Sequence, residues 1–97
     1  MSEQLCQLAS LLRAELTEVE RVLLRSTAGW QRYQNSADDY YLDGVALNLH
    51  GFYSGLERIF ERTAAVVDGS KPRGEHWHQT ILQQMAVEVP GLRPAVI

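Results

Sequence analysis

The chain carries a single cysteine, Cys6, so no internal disulfide can staple it. A lone thiol fits a reducing compartment, and the cytoplasm is the expected location. No uninterrupted apolar run approaches the ~20 residues that span a bilayer. The first residues, MSEQLCQ, place Glu3 where a secretion signal would carry basic residues, so they do not read as one. Positive charge is also short. Lys and Arg total 9 against 12 Asp and Glu, a net of −3, which gives no electrostatic footprint for avid nucleic-acid binding. Repeats and low-complexity tracts are missing. So are a glycine-rich phosphate loop, a nucleophile elbow and a pair of carboxylates set for acid–base work.

What is present is the composition of an ordinary globular protein, 45% apolar and 22% charged. Its 97 residues make one domain, 1–97. A chain this short buries about 60–65% of the surface it exposes unfolded, so its core is modest.

Leu5, Leu8, Leu12, Leu16, Val19 and Leu23 fall at steps of three and four. That spacing predicts a helix over residues 3–28, with these six on one stripe and Glu15, Glu18 and Arg25 on a solvated face. Ser2 can cap its start, and Gly29 suits the left-handed position past its end. The following WQRYQNS, residues 30–36, breaks the period and reads as a connector.

Ser36 and Asp39 match a capping box, and the helix dipole favours Asp38 and Asp39 at that place. A second, long helix is expected from there to about residue 67. Its seam is Leu42, Val45, Leu49, Phe52, Leu56, Ile59, Thr63 and Val66. A second line, Ala46, Tyr53, Phe60 and Val67, lies beside the seam. At 1.5 Å per residue this helix would be roughly 45 Å long. Its apolar face is wider than one neighbour covers. Either more helices pack on it or a second chain does, and the surface expected for a homodimer is helix two around Leu49, Phe52, Tyr53, Leu56 and Phe60.

Gly51 and Gly55 each cost about 1 kcal/mol relative to Ala inside a helix, so a close helix crossing is expected there. The run DGSKP, residues 68–72, ends the helix with the usual Gly and Pro signals. A third helix is expected over residues 75–88, with Trp77, Ile81, Leu82, Met85 and Val89 inward, and Pro90-Gly91 stops it. The final LRPAVI is apolar, unperiodic and without a closing element. The expected fold is all-α: an antiparallel up-and-down bundle of two long helices and a shorter third, dimeric.

The most chemical stretch is RGEHWH, residues 73–78, with four residues between Arg73 and His78. A histidine can shuttle protons near neutral pH, and an arginine can hold a phosphate. Five residues along a helix is about 500° of rotation, some 140° off alignment, so the two diverge on a single helix. Pro72 and Gly74 also leave Arg73 in a loop. The blander reading has Trp77 anchoring the helix start while His76 and His78 stay half-exposed. As metal ligands, His76 and His78 have only His50 and Cys6 as distant companions, without zinc spacing. Asp38, Asp39 and Asp43 could mimic a cation site, but capping accounts for the first two. Tyr40 and Tyr41 could line a pocket or a partner surface. No catalytic, cofactor or metal residue is assigned.

The run YLDGVALNLHGFYSGLERIFERTAAVVDGS, with EHWHQTILQQM and VPGLRPAVI after it, resembles the HepT-like branch of the HEPN superfamily. The likeness covers about residues 37–97. It implies a dimerising helical bundle in a toxin–antitoxin setting, with a small nucleotidyltransferase as the partner. Active members are metal-independent ribonucleases whose Arg-x4–6-His motif lies in a late helix at a dimer cleft. In such relatives that helix follows the RPAV segment. This chain stops at Ile97, so the domain is expected to be C-terminally incomplete. Arg73 and His78 stand before helix three and do not match the motif's place. The implied role is a dimerising scaffold without ribonuclease activity. An RNA endonuclease with its site at a dimer cleft, and a generic helical protein-interaction domain, stay open beside it.

Overall fold

The computed structural model describes residues 2–97. In chain order it has α1 (Glu3–Ser36), α2 (Tyr40–Thr63), a π-helical turn (Ala64–Asp68) and α3 (Trp77–Met85). Among the described residues there is no β-strand, only one antiparallel bridge between Val89 and Arg93. The protein is all-α, as expected. It divides into two compact units: Ala14–Leu56, and the residues up to Arg13 together with Glu57–Ile97.

The unit of residues 14–56 is an antiparallel helical hairpin. Gly29 of α1 meets Val45 of α2, and Val22 meets Gly51, so the two helices run in opposite directions. The buried side of α1 here is Val19, Val22 and Ser26, continued by half-buried Glu15, Gly29 and Tyr33. These alternate by four and three residues, the 3.5 period of paired helices. Leu16 and Leu23, expected inside, are 47% and 44% exposed. Glu15, expected on the solvated face, is half-buried. The seam tolerates a hydroxyl because Ser26 Oγ donates to the Val22 carbonyl at 3.0 Å.

Gly29 does not end α1, which runs on through residues 30–36. A Cβ at Gly29 would lie 3.0 Å from Val45 Cγ2, so the missing side chain permits close packing rather than a left-handed turn. Trp30 and Tyr33 extend the helix with their ring centroids 5.6 Å apart. The left-handed position falls instead on Ala37, at φ 55°, whose N–H donates to the Tyr33 carbonyl at 2.7 Å. Ser36 therefore closes α1 and does not cap α2: its Oγ donates to the Arg32 carbonyl at 2.7 Å. The acceptor at the start of α2 is Asp38, whose Oδ1 takes the Tyr40 N–H at 3.0 Å. Of the two glycines expected at a tight crossing, Gly51 makes only ordinary contact, since a Cβ there would sit 3.8 Å from Val22 Cγ1, and Gly55 is buried.

The second unit draws its core from Leu8 of α1, Ile59, Phe60 and Thr63 of α2, Ala64 of the π turn, and Ile81 and Met85 of α3. Ser2 caps α1 as expected, with its Oγ taking the Leu5 N–H at 3.1 Å. Gly69, at φ 79°, ends the π turn by donating to the Ala64 carbonyl, also as expected. α3 is shorter than the sequence implied, because residues before Trp77 form a turn around Gly74 at φ 96°. Ile81 and Met85 are its fully buried residues, while Leu82 is 37% exposed. Phe60 is buried inside this unit at 7% exposure, which removes it from the face expected to pair with a second chain.

The tail is not loose. The N–H groups of Val96 and Ile97 both donate to the Met85 carbonyl, at 2.7 and 3.3 Å. Arg93 reaches the Asp68 carboxylate through two bonds of 2.6 Å. Those hydrogen bonds hold the Asp68 carboxyl below the ordinary range against the opposing effect of burial, and they raise the Arg93 guanidinium. Periodicity cannot reveal such an element, because its closure is polar.

Candidate functional site

The RGEHWH segment belongs to the second unit, and there it acquires a partner that its own sequence does not contain. Glu57 of α2 places a carboxylate oxygen on Nδ1 of His78. The Glu57 side chain is 13% exposed and that of His78 48%, so a nearly buried acid holds an accessible imidazole. The Trp77 ring lies against the His78 ring, centroids 3.7 Å apart and planes at 33°. With Nδ1 on the carboxylate and one ring face on Trp77, Nε2 is the ring nitrogen left open.

Arg73 lies elsewhere. It lines a cleft of about 230 Å³ with Glu61, Lys71, Pro72 and Trp77, where Lys71 Nζ and Glu61 Oε2 are 3.8 Å apart. Trp77 is thus the common wall between the Arg73 cleft and the His78–Glu57 pair. Among the described residues no hydrogen bond or ion pair joins Arg73 to His78. His76 serves the backbone, its carbonyl accepting from Thr80. No group of three His, Cys, Asp or Glu side chains among the described residues could hold a metal ion. Glu57 escaped the sequence reading because it stands 21 positions before His78 and looks like any solvated helical acid.

Four of the five residues expected at a homodimer face lie in the unit of residues 14–56. On α2, Leu49 and Tyr53 are 49% and 47% exposed, four residues apart on one line of the helix. Leu42, Phe52 and Leu56 are half-buried beside them. On α1, Leu16, Leu23 and Trp30 recur every seven residues and are also nearly half exposed. The hairpin therefore shows solvent two apolar lines that the chain does not cover. At its closed end Tyr40 is 77% exposed, and its ring meets that of Tyr41 edge to face at 6.0 Å. Among the described residues no helix is long and apolar enough to cross a membrane.

A family model described as a HepT-like protein matches residues 44–97, more than half of the chain. The match takes in most of α2, the π turn, α3 and the tail, and so includes Glu57, Asp68, His78 and Arg93. No curated protein and no solved structure matches the chain.

Proposed function

We propose, since the chain belongs to the HepT-like family, that it is the HepT-like component of a toxin–antitoxin system. In this reading residues 1–97 act as one domain, a dimerising helical scaffold of the cytoplasm without ribonuclease activity in this form. Its partner is a nucleotidyltransferase-type antitoxin. The observation that supports the scaffold role is the exposure of Leu49 and Tyr53 on α2. Large apolar side chains grouped at the surface of a small protein are the mark of an interaction face. Light scattering tests it. The wild type should run at twice the chain mass, and Leu49→Asp with Tyr53→Asp should run at the chain mass with an unchanged helical spectrum. A wild type that stays monomeric at about 100 times the micromolar range of weak complexes would sink the scaffold reading.

One observation favours a second reading, a metal-independent endoribonuclease. The carboxylate of Glu57 on His78 Nδ1 sets up an imidazole whose Nε2 could take the proton of a ribose 2′-hydroxyl. RNA cleavage in the presence of EDTA, abolished by His78→Ala and strongly reduced by Glu57→Gln, would establish it. Uncleaved RNA would leave the scaffold reading alone.

A further inference from the structure

The unit of residues 14–56 contains three cationic side chains, Arg21, Arg25 and Arg32, among six acids: Glu15, Glu18, Glu20, Asp38, Asp39 and Asp43. With acids in such excess, each arginine would be expected to have found one. Arg21 has done so, with Nη2 2.5 Å from Glu18 Oε1. Arg25 and Arg32 have not, and among the described residues their side chains make no hydrogen bond or ion pair. Nor do they serve the end of their helix, since the last turn of α1 has no basic residue.

Both line a cleft of about 490 Å³ between α1 and α2, inside the range of small-molecule sites. Arg25, Ala28 and Arg32 follow one another at steps of three and four, which puts them on one face of α1. Ala28 lies between the two arginines, one turn from each, and Gly29 beside it has no side chain. Two long cationic side chains can therefore close over a short floor from either end. A singly charged carboxylate would leave one guanidinium unanswered. A phosphate dianion offers enough charge and acceptor oxygens for both.

A phosphate group alone would leave most of the cleft empty. The remainder is walled by Tyr41 and Leu47 of α2, with open space before Gly44, where a Cβ would meet nothing within 4 Å. Asn48 Nδ2 donates to the Gly44 carbonyl at 2.8 Å, and Asn48 and Asp43 both line the cleft, each with an acceptor-bearing side chain. Two cations, an aromatic side chain and acceptor groups line the same cleft. We propose that this cleft binds a small phosphate monoester carrying a flat ring, with the phosphate held between Arg25 and Arg32 over Ala28. The site stands apart from the family reading and does not depend on it.

The test is a titration of the ¹⁵N-labelled full chain with phenyl phosphate, and in parallel with inorganic phosphate, benzoate and phenol. Phenyl phosphate should move the amide signals of Ala28, Gly29 and Gly44 and bind at least tenfold more tightly than any of the other three. Arg25→Gln and Arg32→Gln should each weaken it by roughly ten- to a hundredfold, the loss of a charge-assisted hydrogen bond. Arg21→Gln should leave it unchanged. Both arginines of the site are exposed, so these replacements keep the fold. Benzoate binding as tightly as phenyl phosphate would overturn the dianion assignment. Phenyl phosphate binding that ignores both arginine variants, or no response at millimolar concentration, would overturn the site itself.

Discussion

Arg93 grips Asp68 with two parallel bonds: Nε lies 2.6 Å from Oδ1 and Nη2 lies 2.6 Å from Oδ2. The side chains are only 7% and 8% exposed. Burying both charges is tolerable because their remaining capacity is filled. Gln84 Nε2 donates to Asp68 Oδ2 at 2.8 Å, and Arg93 also donates to the carbonyls of Gln84, Val87 and Pro94. The pair ties the end of the π turn to a tail 25 residues later.

Arg93→Ala should therefore be among the most damaging single changes outside the apolar core. It leaves the Asp68 carboxylate buried without its cation, a loss of about 3–5 kcal/mol. Urea unfolding followed by helical circular dichroism measures it. Arg93→Lys, which keeps the charge but not the planar fork, should fall between the two.

The same pair sets an acid limit. The Asp68 carboxyl is held below the ordinary carboxylate range, mainly by the Arg93 hydrogen bonds. Its contribution is therefore fully present above the unfolded value, near 3.9, and is lost as pH falls through the lower folded value. Unfolding stability should drop below about pH 4 in the wild type. In Asp68→Asn that limb should flatten, from a lower plateau. An equal acid slope in both proteins would show that other carboxylates govern it.

The glycines give opposite signs. Gly51→Ala should stabilise the protein by about 0.5–1 kcal/mol, since its Cβ meets only ordinary contact and Ala favours helix. Gly29→Val should destabilise it by about 1–3 kcal/mol, because the added atoms press on Val45. Val45→Ala placed in the Gly29→Val background should recover part of that loss. Thermal melts of the four proteins read all three effects.

How much of this was legible in the sequence depends on what kind of residue made each feature. Gly69, Ser2, Ile81 and Met85 stood where local rules put them, because capping and burial of large apolar groups are short-range signals. The burial side of α1 was shifted because its seam is partly Glu15, Ser26 and Gly29, which a hydrophobic pattern does not count, whereas Leu16 and Leu23 satisfy the pattern and face solvent. Residues 30–36 break the apolar period and so read as a connector, and Gly29 before them reads as a stop. Only the presence of Val45 shows it as a packing gap. Partnerships at long range, Asp68 with Arg93 and Glu57 with His78, left no mark in spacing at all.

A large loss is expected at the core of the second unit. Met85→Ala should cost about 2–5 kcal/mol, since its side chain is wholly enclosed. Leu24→Ala, at 71% exposure, should stay within about 0.5 kcal/mol of wild type. Comparing the two denaturation midpoints checks the contrast.

The division of the chain bears on the order in which it assembles. Residues 14–56 are consecutive, and their pairing closes through a turn of only residues 37–39. Residues up to 13 find their companions only after Glu57, so their contacts close a loop of the whole hairpin between them. Loop closure costs entropy that grows with length, and contacts near in sequence form sooner. On a ribosome the hairpin could pair while α3 is still unmade, and the first turns of α1 would wait for the tail that Asp68 and Arg93 lock. Pulsed hydrogen exchange during refolding should accordingly protect Val22 and Ser26 before Leu8. Simultaneous protection of all three would contradict that order.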